Sequence, residues 1–294
     1  MTVLTTGPIL VTGATGTIGR HVVDQLVRRG AEVRALVRDP AKAGLPAGVA
    51  VVSGDLLDVE SLRRAFAGAS TLFLLNAVVA DEVAQALIAL NVAREAGIRR
   101  VVYLSVIHSD VYVNVPHFAG KFAVERMIET MGFEATILRP AYFMSNEHTI
   151  RDVVLQHGVY PMPIGAKGLA MVDERDLGEV AALALLRRVQ ADGPLPLDRI
   201  NVVGPETLTG EAVAGIWSEV LGRPVAYGGD DTVGFERNLQ SLMPGWMAYD
   251  MRLMAERFLT DGMVPEAGDV ARLTTLLGRP LRTYRDRAAA IAAA

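Results

Sequence analysis

Gly13, Gly16 and Gly19 stand three residues apart, just after the apolar run Ile9 to Val11 and just before a helical pattern. Ile18, Val22, Val23 and Leu26 recur at helical spacing, and Gly30 stands where a C-terminal cap belongs. This order predicts a buried strand, a tight glycine turn and a helix. In such a turn the first glycine allows the bend and the second lets a pyrophosphate approach the backbone. The third lets helix and strand pack closely. The helix start then offers free N–H groups and a positive dipole end to phosphates. The spacing is GxxGxxG rather than GxGxxG, and an ordinary strand-to-helix turn is the competing reading.

The rest of the chain bounds what such a turn can serve. At 294 residues it holds one large or two small domains, and 51 % hydrophobic residues suit strands buried on both faces. No apolar run approaches the ~20 residues of a membrane helix. No Lys or Arg precedes Arg20, so the first apolar run reads as a strand and not as a signal peptide. With no cysteine, disulfides, thiolate catalysis and thiolate metal sites are excluded, which is compatible with a cytoplasmic location. A net charge of −4 without a dense basic run gives nucleic-acid binding no electrostatic support.

Strand patterns at 32–38, 49–53, 71–76, 100–107 and 134–140 alternate with helical patterns at 58–68, 81–97 and 118–131. That alternation predicts an α/β fold: a Rossmann-type doubly wound parallel sheet. Beyond Pro140 the pattern changes to a helix over 171–188, a strand over 199–204, a helix over 209–221 and a short strand over 225–227. From Trp246 onward the chain reads as wholly helical. The expected division is a dinucleotide-binding domain over 1–147, to which 171–204 returns, and a smaller, mostly helical substrate region over 148–294.

The end of the second strand bears on the choice of cofactor. NAD-binding chains usually place an acidic residue there for the ribose 2′-hydroxyl. Here Arg38 stands at the tip, followed by Asp39 and, a little further on, Lys42. A guanidinium can grip a 2′-phosphate through paired charge-assisted hydrogen bonds, which favours NADP(H) over NAD(H). Asp39 on the 2′-hydroxyl with Arg38 solvated is the alternative. Arg20 is either a second phosphate contact or a surface charge.

Several separated segments share one resemblance. VTGATGTIG, ALVRDP, SGDLLD, VVYLSV, HFAGKFAVERMIE and ILRPAYFMSN follow in order, with INVVGPE and LGRPV later. Together they resemble the NmrA-like branch of the atypical short-chain dehydrogenase/reductases, whose relatives include type-2 NADPH:quinone oxidoreductases and isoflavone-reductase-like enzymes. The resemblance covers roughly residues 8 to 230 and is strongest before 147. It implies NADP(H) held at Gly13, Thr15, Gly16, Thr17, Ile18, Gly19 and Arg38. It also implies an adenine-side contact at Asp55 and Leu56, and nicotinamide-side contacts at Asn76, Ser105 and Lys121.

Ordinary short-chain dehydrogenases pair a tyrosine with a lysine four residues later on one helix face. Here Lys121 occupies the lysine position, but His117 stands where the tyrosine belongs. Histidine titrates near neutrality and can serve as the proton donor. A helix cap or a pocket wall is its plainer role. Lys121 is expected to contact the cofactor, and an i+4 pair with Glu125 is its competitor. Tyr142 can present a phenol to a substrate or simply pack, with Phe143 and Asn146 in the same segment. The five histidines show no metal-ligand spacing, so no metal is expected.

Met247, Met251, Met254 and Phe258 recur on one helical face, with Met243 and Trp246 nearby. They form either a core stripe or the lining of a pocket for a flat aromatic molecule. Two functions are weighed. One is an NADPH-dependent oxidoreductase acting on a small hydrophobic quinone, carbonyl or conjugated acceptor. The other is a non-catalytic NADP(H)-binding redox sensor. A sugar-nucleotide epimerase is disfavoured because that chemistry also leans on the absent tyrosine.

Overall fold

The computed structural model describes residues 7–294; residues 1–6, which open the first expected domain, lie outside the described residues. The elements run β1 (Ile9–Val11), α1 (Thr17–Arg28), β2 (Val33–Val37), β3 (Ala50–Ser53), α2 (Val59–Phe66), β4 (Thr71–Leu74) and α3 (Glu82–Glu95). They continue through β5 (Arg100–Leu104), α4 (Pro116–Thr130), β6 (Glu134–Pro140), α5 (Arg151–His157), β7 (Val159–Tyr160), α6 (Glu174–Gln190) and β8 (Asp198–Val202). The last elements are α7 (Gly210–Leu221), β9 (Ala226–Tyr227), α8 (Thr232–Leu239), α9 (Gly245–Thr260), α10 (Asp269–Leu277) and α11 (Tyr284–Ala293).

Seven strands form one sheet in the order β3-β2-β1-β4-β5-β6-β8, and β1 to β6 pair in parallel. The central strands are buried on both faces. Leu10, Leu72, Leu74, Val101, Tyr103, Ala135 and Ile137 alternate onto one face, where they pack with Leu62, Phe66, Ala86, Leu90, Val124 and Ile128 of α2, α3 and α4. Helices α1 and α6 contribute nothing to that core and meet each other at Gly178, where an added Cβ would stand 2.5 Å from the Cβ of His21. The order of the sheet reverses between β1 and β4, so the carboxyl ends of those two strands flank the crevice where such sheets bind ligands.

Two compact units divide the chain. One holds the residues up to Ser105, Gly120–Arg139 and Leu177–Ile200; the other holds Val106–Ala119, Pro140–Asp176 and Asn201–Ala294. The expected division drew a line at 147. The chain passes out of the first unit after β5, before the last residue of β6 and within β8.

Three elements were not expected from the sequence: α5, α8 and β7, the last pairing in parallel with β9, which lies within the short strand expected over 225–227. The region after Trp246 is also not continuous helix. Left-handed glycines at Gly262, Gly268 and Gly278 break it into α9, α10 and α11. Among the described residues no helix is long and apolar enough to cross a membrane.

Candidate cofactor and proton-donor site

The glycine turn is built as its sequence requires. Gly13 lies at φ +62°, and a Cβ there would meet Leu75 at 2.8 Å. A Cβ on Gly19 would stand 2.1 Å from the Gly13 carbonyl oxygen, inside contact distance, so that position accepts no side chain. At Gly16 the nearest atom is 3.4 Å away, so the protein itself leaves room. Thr12 locks the turn onto β4: its hydroxyl donates to the Leu75 carbonyl at 3.0 Å and accepts from the Leu75 N–H at 2.8 Å. Gly16 caps α1 without a side chain, and the first helical bond runs from the Arg20 N–H to the Gly16 carbonyl. Among the described residues the N–H groups of Thr17, Ile18 and Gly19 therefore have no acceptor within the chain. Thr15 and Thr17 are exposed at this mouth, while Ile18 and Gly19 are buried beneath it.

At the tip of β2, Arg38 is exposed, and no hydrogen bond or ion pair to its guanidinium is found among the described residues. Asp39 is engaged. Its carboxylate caps the turn at 40–42 by accepting from the Ala41 N–H at 3.1 Å, and it pairs with Lys42 at 3.3 Å. Arg20 is exposed, as the surface-charge reading expects. It clamps the glycine turn to the loop after β2, donating to the carbonyls of Thr15, Gly44 and Ala43 at 3.0, 2.7 and 3.0 Å. Beyond β3, the Asp55 carboxylate accepts from the Leu57 N–H at 2.8 Å in a tight turn, and Leu56 is half-buried beside it.

Asn76, just past β4, is 4 % exposed, and among the described residues neither its amide nitrogen nor its amide oxygen has a hydrogen-bond partner. An unpaired buried amide is costly, and a polar ligand atom beside it would relieve that cost. Ser105 is different. Its hydroxyl donates to the buried Glu125 carboxylate at 2.5 Å, and Arg139 grips the same carboxylate at 3.0 and 2.6 Å. Arg199 Nε also lies 3.9 Å from the Glu125 carboxylate. The Lys121 ammonium donates to Glu82 at the start of α3, at 2.5 Å, with both side chains nearly buried. The i+4 spacing gave no hint of this, because partner choice is decided by burial across the sheet face.

His117 lies in the first turn of α4, one turn before Lys121. Its Nδ1 is 2.8 and 2.9 Å from the two carboxylate oxygens of Asp250 on α9. The sequence reading passed over Asp250 because it sits among the methionines of that helix. Of the proposed stripe, Met254 and Phe258 are buried core, and Met247 and Met251 are half-buried. Tyr142 stands edge-on to Phe258 at 6.0 Å. Burial, and then the charge of Glu147, push its phenol far above the ordinary tyrosine value, although a hydrogen bond with Asn146 works the other way. That direction opposes the role of proton donor and favours packing.

Three features fit a dinucleotide phosphate: backbone donors without acceptors, a free arginine at the strand tip, and a buried amide without partners. The chain matches the model of the NmrA-like family over residues 5–264. It is 31 % identical to an NAD(P)H azoreductase of Xenophilus azovorans over 294 residues, covering 97 % of this chain and 98 % of that one. It is 33 % identical to a (4-alkanoyl-5-oxo-2,5-dihydrofuran-3-yl)methyl phosphate reductase of Streptomyces griseus, covering 95 % of each. Its structure superposes on that of an NADPH-dependent quinone oxidoreductase of Escherichia coli complexed with NADPH, with a TM-score of 0.86 at 25 % identity. That match covers 96 % of this chain and 99 % of the other. On both sequence and structure, this chain belongs to the NmrA-like family.

Proposed function

We propose that this chain is an NADPH-dependent reductase that delivers two electrons to a hydrophobic quinone, carbonyl or other conjugated acceptor. The observation that carries this reading is the cluster of unsatisfied polar groups at the β1–β4 order reversal, above all the partnerless amide of Asn76. Full-length similarity to azo, oxo-dihydrofuran and quinone reductases supports the choice of chemistry.

When bound, NADPH supplies the hydride. The N–H groups of Thr17, Ile18 and Gly19 bind the pyrophosphate at the positive end of α1, approached across Gly13 and Gly16. Arg38 binds the 2′-phosphate, a preference sharpened by the engagement of Asp39 elsewhere. Asp55 and Leu56 flank the adenine. The Asn76 amide faces the nicotinamide end. Lys121 is held by Glu82 through one of its three N–H bonds, leaving two for ribose hydroxyls. The missing tyrosine makes His117 the proton donor. A quinone or an activated double bond tolerates this exchange better than a simple ketone, because the reduced acceptor is already a stabilised anion.

NADPH oxidation followed by absorbance, across quinones, azo dyes and conjugated aldehydes and lactones, tests the reading. The expected result is turnover with at least one class, and weaker use of NADH. Tight NADPH binding without oxidation by any acceptor would overturn it in favour of a non-catalytic NADP(H) sensor.

A further inference from the structure

Helix α9 buries Ala248, Asp250, Met254, Ala255 and Phe258. Asp250 is the one charged residue on that face and is 1 % exposed. A carboxylate among apolar side chains is costly unless it is paired, and packing alone would be better served by another methionine or leucine. Its partner is His117, with both oxygens forked onto the single nitrogen Nδ1 at 2.8 and 2.9 Å. An ionised carboxylate only accepts hydrogen bonds, so Nδ1 carries a hydrogen. The Phe118 ring stands against the imidazole at 4.7 Å and 71°, fixing its second face. The ring is thus held in one plane and one tautomer, and the nitrogen left for chemistry is Nε2.

We propose that Asp250 is a positioning residue for His117, holding the imidazole so that Nε2–H delivers the proton of the reduction. The role rests on the reductase reading above. The acceptor takes two electrons and one hydrogen as hydride from NADPH, which leaves as NADP+. The Nε2–H bond of protonated His117 then breaks, and the proton bonds to the acceptor oxygen. His117 is left neutral with Nδ1–H still on Asp250, and it regains its proton from solvent. The overall change is acceptor plus NADPH plus H+ to reduced acceptor plus NADP+.

The test is a double-substitution cycle on the full chain with a quinone acceptor, using His117→Ala, Asp250→Leu and the double variant. Leucine suits the apolar face of α9, so the helix is kept. Each single variant is expected to lower kcat about 100-fold or more, as loss of a positioned proton donor does. KM for the quinone and Kd for NADPH should stay within about twofold. In the His117→Ala background, Asp250→Leu should cost nothing further, because Asp250 acts only through His117. A merely structural residue gives the same additional loss in both backgrounds, and that result overturns the proposal. So does an unchanged kcat in Asp250→Leu. Long-range proton–nitrogen spectra of histidine-labelled protein give a readout independent of turnover. Neutral His117 with its hydrogen on Nδ1 supports the pairing, and a hydrogen on Nε2 alone overturns it. If the unsubstituted protein oxidises NADPH with no acceptor, the reductase reading falls and the catalytic role with it. If it turns over and Asp250→Leu does not slow it, only the positioning role falls.

Discussion

Two buried polar regions of this chain handle their hydrogen bonds in opposite ways. At the β1–β4 order reversal, the Asn76 amide and the first N–H groups of α1 have no partner among the described residues. Around Glu147, by contrast, the inventory closes. Tyr284 donates to one carboxylate oxygen at 2.6 Å, Tyr160 to the other at 3.2 Å, and the Trp217 indole donates to the Tyr284 oxygen at 2.9 Å. Yet Glu147 is the residue with the displaced titration. Burial pushes its carboxyl up from 4.5 to about 7, partly offset by those donors. A shifted pKa therefore does not by itself mark a functional site. Here the shifted carboxyl holds α7, α11 and the segment 144–149 together.

The sharpest way to break this contrast is at the turn. Gly19→Ala puts a methyl group into the Gly13 carbonyl and should weaken NADPH binding about a hundredfold or more, on the order of 3 kcal/mol. Gly16→Ala refines the result. The protein has room for that methyl, so a loss of NADPH affinity at unchanged Tm would isolate the approach of the ligand. Fluorescence titration alongside thermal melting reads both.

Next in size, Arg38→Ala should cost NADPH about 1.5–3 kcal/mol, the worth of a hydrogen bond to a charged group, and leave NADH nearly untouched. Equal losses for the two would return Asp39 to candidacy.

The Glu147 region makes a prediction of a different kind. Its folded-state pKa lies above the unfolded value, so the folded protein holds the proton more tightly between pH 4.5 and about 7. The stability this carboxyl contributes is therefore present at low pH and is lost as pH rises through about 7. Glu147→Gln keeps a neutral side chain and should flatten that slope, worth at most on the order of 3 kcal/mol across the window. Urea unfolding of both proteins at several pH values gives the difference directly, and NADPH affinity should not change.

Ser105→Ala is the smallest expected effect. Because Ser105 spends its hydroxyl on Glu125, and Arg139 holds that carboxylate as well, NADPH affinity should shift by less than about threefold. A larger loss would make Ser105 a direct cofactor contact.

The parts of this site legible in the sequence are the local ones. The Gly13–Gly19 turn announces itself because its backbone requirement, the strand before it and the helix after it fit within twenty residues. Arg38 is legible for the same reason, standing at the end of an alternating strand. What escaped depends on partners far apart in the chain. Glu125 sits at ideal spacing from Lys121, yet it serves Ser105 and Arg139, while Lys121 reaches Glu82 on another helix. Asp250 lies 133 positions from His117 and is hidden in a stripe that reads as apolar core. The short elements α5, β7 and α8 lack the periodicity that longer elements display.

The most direct measurement follows backbone and side-chain amide signals in labelled protein as NADPH is added. The N–H groups of Thr17, Ile18 and Gly19 and the Asn76 carboxamide are expected to shift most, with the Trp217 indole unmoved. Saturable shifts at Trp217 and around Glu147, with Asn76 and the α1 start unchanged, would contradict the assignment of the cofactor site.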